Sequence, residues 1–180
     1  MNRVASLVIT FGIILIIFIG CGEKKTKEQL NAEALRYERE ENYKEAIKTF
    51  ELLADKYPQA NFADSVLFRI AQIYSNNLSD FEGSIATHKR LIEKFPESNF
   101  SLQSLFLVGF HYNNNIKDTV NARIYYEKFL EQYPNHELVT SVQWELQHLG
   151  KDPNEIEFLK TESPDEANSQ QSSSDAKAKK

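Results

Sequence analysis

Cysteine is almost absent from this chain. The only one is Cys21, so no disulfide can form within the chain and no thiolate cluster can hold zinc. Glycine is scarce, six in 180 residues, and none of the six belongs to a phosphate-cradling loop. The four histidines, His88, His111, His136 and His148, are not spaced three or four apart, which removes the helical metal pair. Acidic residues such as Glu38, Glu40, Glu41, Glu93 and Glu127 lie mostly beside lysine or arginine and read as solvated faces. A glycan-cleaving enzyme would need two carboxylates held across a cleft, one of them in an apolar pocket. Ser172 to Ser174 stand in a polar tail without a base. The net charge is -5 and no basic run interrupts the middle of the chain, so there is no footprint for nucleic acid. The expectation is a protein with no catalytic centre, no metal and no cofactor, which works through its surface.

What is present is a dipeptide that recurs. Tyr57-Pro58, Phe95-Pro96 and Tyr133-Pro134 follow one another at intervals of 38 residues. Counting back from Pro58 gives Leu53, Phe50, Ala46, Tyr37, Ala34 and Leu30. The second copy has Leu91, His88, Ser84, Tyr74, Ala71 and Leu67, and the third has Phe129, Tyr126, Ala122, Tyr112, Gly109 and Leu105. Large meets large and small meets small. Two antiparallel helices approach closely only where small side chains lie at their crossing, so Ala34, Ala71 and Gly109 are expected to face Ala46, Ser84 and Ala122. Aromatic rings fill the space beside the crossing, and each proline stops a helix. There are departures: Glu33 stands at an apolar position, His88 at an aromatic one, Thr119 where Tyr43 and Phe81 stand, and Arg123 in place of Ile47 and Ile85. Copies two and three carry one extra residue, which is expected in the turn between their helices.

This pattern resembles the tetratricopeptide repeat. The resemblance implies an all-α fold, a right-handed superhelical stack of helical hairpins with a C-terminal capping helix. Helices are expected at about 27–40, 43–57, 63–75, 81–95, 101–114 and 119–133, which places the repeats at about 27–60, 63–98 and 101–136. Thr26 to Gln29 and Asn42 to Glu45 read as capping boxes. Phe62, Phe100 and Leu138, each four residues past a proline, are expected to plug the joints between hairpins. Capping helices follow over 137–160: one from about Glu137 to Leu149, stopped by Gly150, and a short one from Asp152-Pro153-Asn154-Glu155 to Lys160. They would cover the apolar face of the last hairpin. Residues 161–180 contain no aromatic residue and are expected to stay disordered, with Lys177, Lys179 and Lys180 in a solvated tail.

The start of the chain is of another kind. Met1-Asn2-Arg3 is a short positive region, Leu7 to Ile19 is almost wholly apolar, and Phe18-Ile19-Gly20-Cys21 closes the run. This resembles the signal of a bacterial lipoprotein. It implies cleavage after residue 20, diacylglycerol and palmitate on Cys21, and a tether over 21–26. Phe18 stands where leucine is common. Gly22 is not the aspartate of an inner-membrane retention signal, so the outer membrane, facing the periplasm, is the expected location. The alternative is an uncleaved anchor, since Val4 to Gly20 just reaches the short limit for a bilayer span.

In the tetratricopeptide family the first helices line a concave groove that binds protein segments. The groove positions fall on Asn31 and Leu35, on Phe68, Gln72, Ser75 and Asn76, and on Gln103, Phe106, Phe110, Asn113 and Asn114. The lysines with which some members clamp a peptide carboxylate are replaced here by Asn31, Phe68 and Phe106. Aromatics flanked by amides fit an extended or helical segment; the other reading of the three phenylalanines is filling between repeats. Lipid anchor and repeats together resemble the outer-membrane assembly lipoproteins of the β-barrel assembly machinery. The partners implied are the barrel subunit or unfolded outer-membrane proteins. Those lipoproteins usually carry about five hairpins, and this chain has three and a half. A coordinating factor of the Tol-Pal system, or a membrane-anchored periplasmic chaperone, are the alternatives.

Overall fold

A computed structural model describes residues 25–59 and 61–151. The leader with Cys21, the short helix expected over 153–160 and the tail lie outside the described residues. Within them seven α-helices follow one another: α1 (Lys27–Arg39), α2 (Tyr43–Lys56), α3 (Ala63–Gln72), α4 (Phe81–Lys94), α5 (Asn99–His111), α6 (Thr119–Gln132) and α7 (Val139–Gln147). Each helix packs on the next, and α3 also packs beside α5, so the hairpins α1–α2, α3–α4 and α5–α6 form one all-α stack closed by α7.

Local chemistry sets the helix ends. Thr26 Oγ1 accepts from Gln29 N at 3.3 Å and Gln29 Oε1 accepts from Thr26 N at 2.8 Å, a complete capping box. Asp80 and Asp118 cap α4 and α6 by accepting from Gly83 N and Asn121 N. The second box does not form: Asn42 makes no side-chain cap bond, and Glu45 turns to Lys48 Nζ at 3.4 Å instead. At the other end, Tyr57, Phe95 and Tyr133 share one backbone conformation, with φ of -129°, -134° and -129°. The following proline pushes each out of the helical region while its N–H still reaches the carbonyl four residues back.

The extra residue of copies two and three is not in the turn. It is wound into the end of the first helix as a π turn, Ile73–Asn77 after α3 and Tyr112–Ile116 after α5. The turns then close alike. Asn42 N donates to Tyr37 O, Asp80 N to Tyr74 O and Asp118 N to Tyr112 O, each at 2.8 Å. Just before each of these three residues comes a left-handed one, Glu41, Ser79 or Lys117, with φ of 57°, 53° and 65°. Each non-glycine residue there carries about 1–2 kcal/mol of strain, so this reversal is set by the packing of the helices it joins.

The small residues sit at the crossings. Ala34, Ala46, Ala71, Ser84 and Ala122 are fully buried, and Gly109 is buried with them. At Gly109 even a methyl group is too large, because a Cβ there would lie 2.6 Å from Tyr126 Cε1. Around the crossings lie two apolar clusters. One is built on Leu30, Phe50, Leu53, Leu67 and Ile70, the other on Leu105, Tyr126, Phe129 and Val142. Phe62 and Phe100 pack against the first and Leu138 against the second, each half-buried at a hairpin joint. Charged pairs register the layers from outside: Arg69 grips Glu38 between first helices, and Arg90 reaches Glu51 and Asp55 between second helices. Such partly exposed pairs contribute at most about 1 kcal/mol each, so apolar burial holds the stack and the pairs select its register.

Candidate partner-binding surface

In the third hairpin the first and second helices differ in chemistry. From Asn99 to Ile116, the whole of α5 and its π turn, the chain has no Asp, Glu, Lys or Arg. Its hairpin partner α6 carries Arg123, Glu127, Lys128 and Glu131. Charge on a helix face is kept by water, so an uncharged helix that is not wholly buried presents a surface of lower desolvation cost. On that helix Phe106 and Phe110 are half-buried, one turn apart, with ring centroids separated by 6.2 Å. Gln103 is exposed on the preceding turn, and Asn114 donates its Nδ2 to Phe110 O at 3.1 Å. On the neighbouring first helix Gln72 and Asn76 are exposed and Ser75 is half-buried, its hydroxyl turned back to Ala71 O and Gln72 O.

Two of the expected groove residues belong elsewhere. Phe68 is only 9% exposed and packs between hairpins, 5.0 Å from the Phe100 ring and edge-on to His88 at 5.4 Å. The joint residue of the next hairpin covers it, which a single-helix reading cannot foresee. Asn113 is buried too, and its Oδ1 accepts from Gly150 N at 3.1 Å. It ties the last residues described here to the third hairpin.

Phe106 has a divided role, since its ring also lies 6.1 Å from that of the fully buried Tyr126. Phe110 is the more independent of the two. Asn31 is exposed at the other end of the stack, with half-buried Leu35 one turn on. It lines a recess of about 390 Å³ with Lys27, Glu28, Phe62, Ser65 and Val66. The structure therefore gathers Gln103, Phe106, Phe110 and Asn114 into one strip, sets Gln72, Ser75 and Asn76 on the adjacent helix, and leaves Asn31 apart.

A buried polar seam between the two apolar clusters was not legible in advance. His88 on α4 is 1% exposed, and its Nδ1 lies 2.8 Å from Ser104 Oγ on α5. His111 stacks beside it at 6.4 Å between centroids and meets Asn115 Oδ1 through its own Nδ1 at 3.0 Å. Burial, with His111 adding to it, pushes the His88 imidazole down to about 3, so it is neutral at ordinary pH. Ser101 satisfies its hydroxyl on Phe95 O at 2.6 Å, whereas Ser84 Oγ has no partner among the described residues. The seam is structural chemistry: His88 meets Ser104 across the α4–α5 contact, and His111 meets Asn115 one turn on. At the C-terminal end, the Tyr126 hydroxyl reaches Glu145 on α7 at 3.3 Å, and burial followed by that carboxylate raises its pKa. Among the described residues no group of three or more His, Cys, Asp or Glu side chains could hold a metal ion.

A model of the tetratricopeptide repeat matches the chain three times, over residues 33–60, 65–98 and 103–136. No curated protein matches it.

Proposed function

The chain belongs to the tetratricopeptide repeat family, whose members are scaffolds for protein partners, and on that premise we propose that it receives a protein segment on the α5 strip. Phe106 and Phe110 bury apolar side chains of that segment, while Gln103 on the same helix and Gln72 and Asn76 beside it satisfy its backbone groups. The observation that carries the reading is the uncharged run from Asn99 to Ile116, with two half-buried rings one turn apart.

The place of action rests on the leader. Phe18-Ile19-Gly20-Cys21, with no second cysteine in the chain, supports lipidation at Cys21 and an anchor in the outer membrane facing the periplasm. A lipid-held interaction scaffold in that space fits a role in outer-membrane protein assembly, with the barrel subunit or unfolded barrel proteins as partners. Phe110→Glu is expected to weaken binding of such a partner at least tenfold, about 1.4 kcal/mol. Helicity should be unchanged, because this ring is the less committed to the core. Titration of the variant against a labelled partner segment checks it, and unchanged affinity would move the site off α5.

A further inference from the structure

The first hairpin has an open edge where the stack begins. There a recess of about 370 Å³ is lined by Lys25, Leu30, Glu33, Tyr37, Glu45, Lys48, Thr49 and Leu52. Leu52 is 53% exposed, the only exposed large hydrophobic residue in the described part of the first two hairpins. At the same position on the other second helices stand Arg90 and Lys128, so the apolar residue is peculiar to this edge. Arg36 lies over the Tyr37 ring at 4.5 Å, a cation on an aromatic face at the rim. Each acidic side chain of the recess has a cation beside it, Glu33 with Lys25 at 2.6 Å and Glu45 with Lys48 at 3.4 Å. The face is therefore close to neutral, apolar at its centre and ringed by paired charges.

The chain enters the fold at this same edge. Lys25 lines the recess, and its carbonyl is fixed to the end of α2 by Lys56 Nζ at 2.6 Å and Tyr57 Oη at 3.5 Å. From Cys21 to Lys25 is a span of four residues, at most ~14 Å when fully extended. A lipid on Cys21 would hold the start of α1, where this edge begins, close to the bilayer.

We propose that the open edge of the first hairpin rests on the headgroup layer of the anchoring membrane, with Leu52 and Tyr37 towards the lipid. This rests on the reading of Cys21 as the lipidated residue. Contact is intramolecular once the tether is in place, so a weak interfacial preference is enough to orient the domain. The stems of Lys25, Lys48 and Arg36 lie beside the apolar centre, and their charges, each paired with a carboxylate, stay at the polar headgroup level. The stack then rises away from the membrane. At ~10 Å per packed helix layer, the α5 strip is held at least ~20 Å further out, open to partners in the aqueous space.

The test uses the full chain, processed with its leader and reconstituted in phosphatidylcholine vesicles. Leu52→Cys and, at the far end, Val120→Cys are each labelled with an environment-sensitive fluorophore, and quenching by headgroup-level spin-labelled lipid is read. Several-fold stronger quenching at position 52 than at 120 is expected. The mass of the mature N-terminus is measured on the same sample. A lipidated Cys21 with equal or absent quenching at position 52 overturns the orientation and leaves the anchor standing. An unmodified Cys21 overturns the anchor and the proposal with it. Self-quenching at position 52 that grows with protein per vesicle also overturns it, assigning the face to a second copy of the chain.

Discussion

Moving from pH 7.5 to pH 5 is expected to remove about 2 kcal/mol of folding stability through His88 alone. The imidazole is held near 3 in the folded protein, below the ordinary 6.5, because burial excludes the charged form. Between those two values the unfolded chain binds a proton that the folded one refuses, so stability falls as pH falls. It is fully present above about 6.5. No carboxylate hydrogen-bonds to the ring to rescue the cation; its neighbours are Ser104 Oγ, Phe68 and His111. His88→Phe supplies the aromatic ring type that Phe50 and Tyr126 provide in the other hairpins. The variant should show this component of the pH dependence abolished. At pH 7.5 it should be weaker by about 1–3 kcal/mol, because Ser104 Oγ is left without its partner, and this deficit should shrink by about 2 kcal/mol at pH 5. Urea unfolding of both proteins at the two pH values checks it. An unchanged difference between pH 7.5 and 5 in the variant would assign the acid sensitivity elsewhere.

Gly109→Val should cost about 3 kcal/mol, at the upper end of the usual range for overpacking a core. The reason lies in one distance. A Cβ at Gly109 would lie 2.6 Å from Tyr126 Cε1 and 2.7 Å from Cδ1, and that ring is fully buried, so it cannot swing aside into water. Gly109→Ala is a milder test with an internal counterweight, since alanine gains about 1 kcal/mol of helix propensity over glycine. If the crossing is as tight as the distance implies, alanine still comes out destabilising. Combining Gly109→Val with Tyr126→Ala should recover part of the loss that the two changes would give if they added. Urea midpoints of the five proteins, wild type and Tyr126→Ala included, measure this. A stabilised Gly109→Ala would mean the crossing has room to spare.

The hairpins were readable because their signals are local and repeated. The proline at one interval, the aromatic before it and the alternation of small and large residues at the crossing each report a backbone constraint that no distant contact overrides. Ala34, Ala71 and Gly109 could be placed in the core for that reason. Phe68 could not be placed so safely, because one position along a helix is a rotation of about 100°. A residue on the flank of the inner face is decided by whatever the next hairpin brings. For Phe68 that is Phe100, and the ring is buried. Phe106 occupies the same place in the third hairpin and stays half-buried, with α7 the helix that follows.

Asn113 and the extra residues illustrate a second limit. An asparagine in a run of amides looks like groove lining until Gly150, far along the chain, is found on its side chain. One inserted residue can lengthen a turn or tighten a helix into a π turn, and composition does not choose between them. Here the left-handed residue before each second helix recurs in all three hairpins, so the close of the turn was kept and the helix end absorbed the insertion. The polar seam is not legible in the sequence because His88, Ser104 and His111 are each ordinary residues alone. Only the packing of α4 on α5 brings them together.

The most direct test of the central claim, that partners bind on the first-helix side and not on the charged second-helix side, is a comparison of two crosslinking positions. A photo-reactive residue is placed at exposed Gln103 on α5 and, in a separate protein, at exposed Ala86 on α4. Each is then irradiated with a segment of an unfolded barrel protein or with the barrel subunit. The account predicts a crosslinked product from position 103 and none above background from position 86. Equal yields from both positions, or a product from position 86 alone, would contradict it.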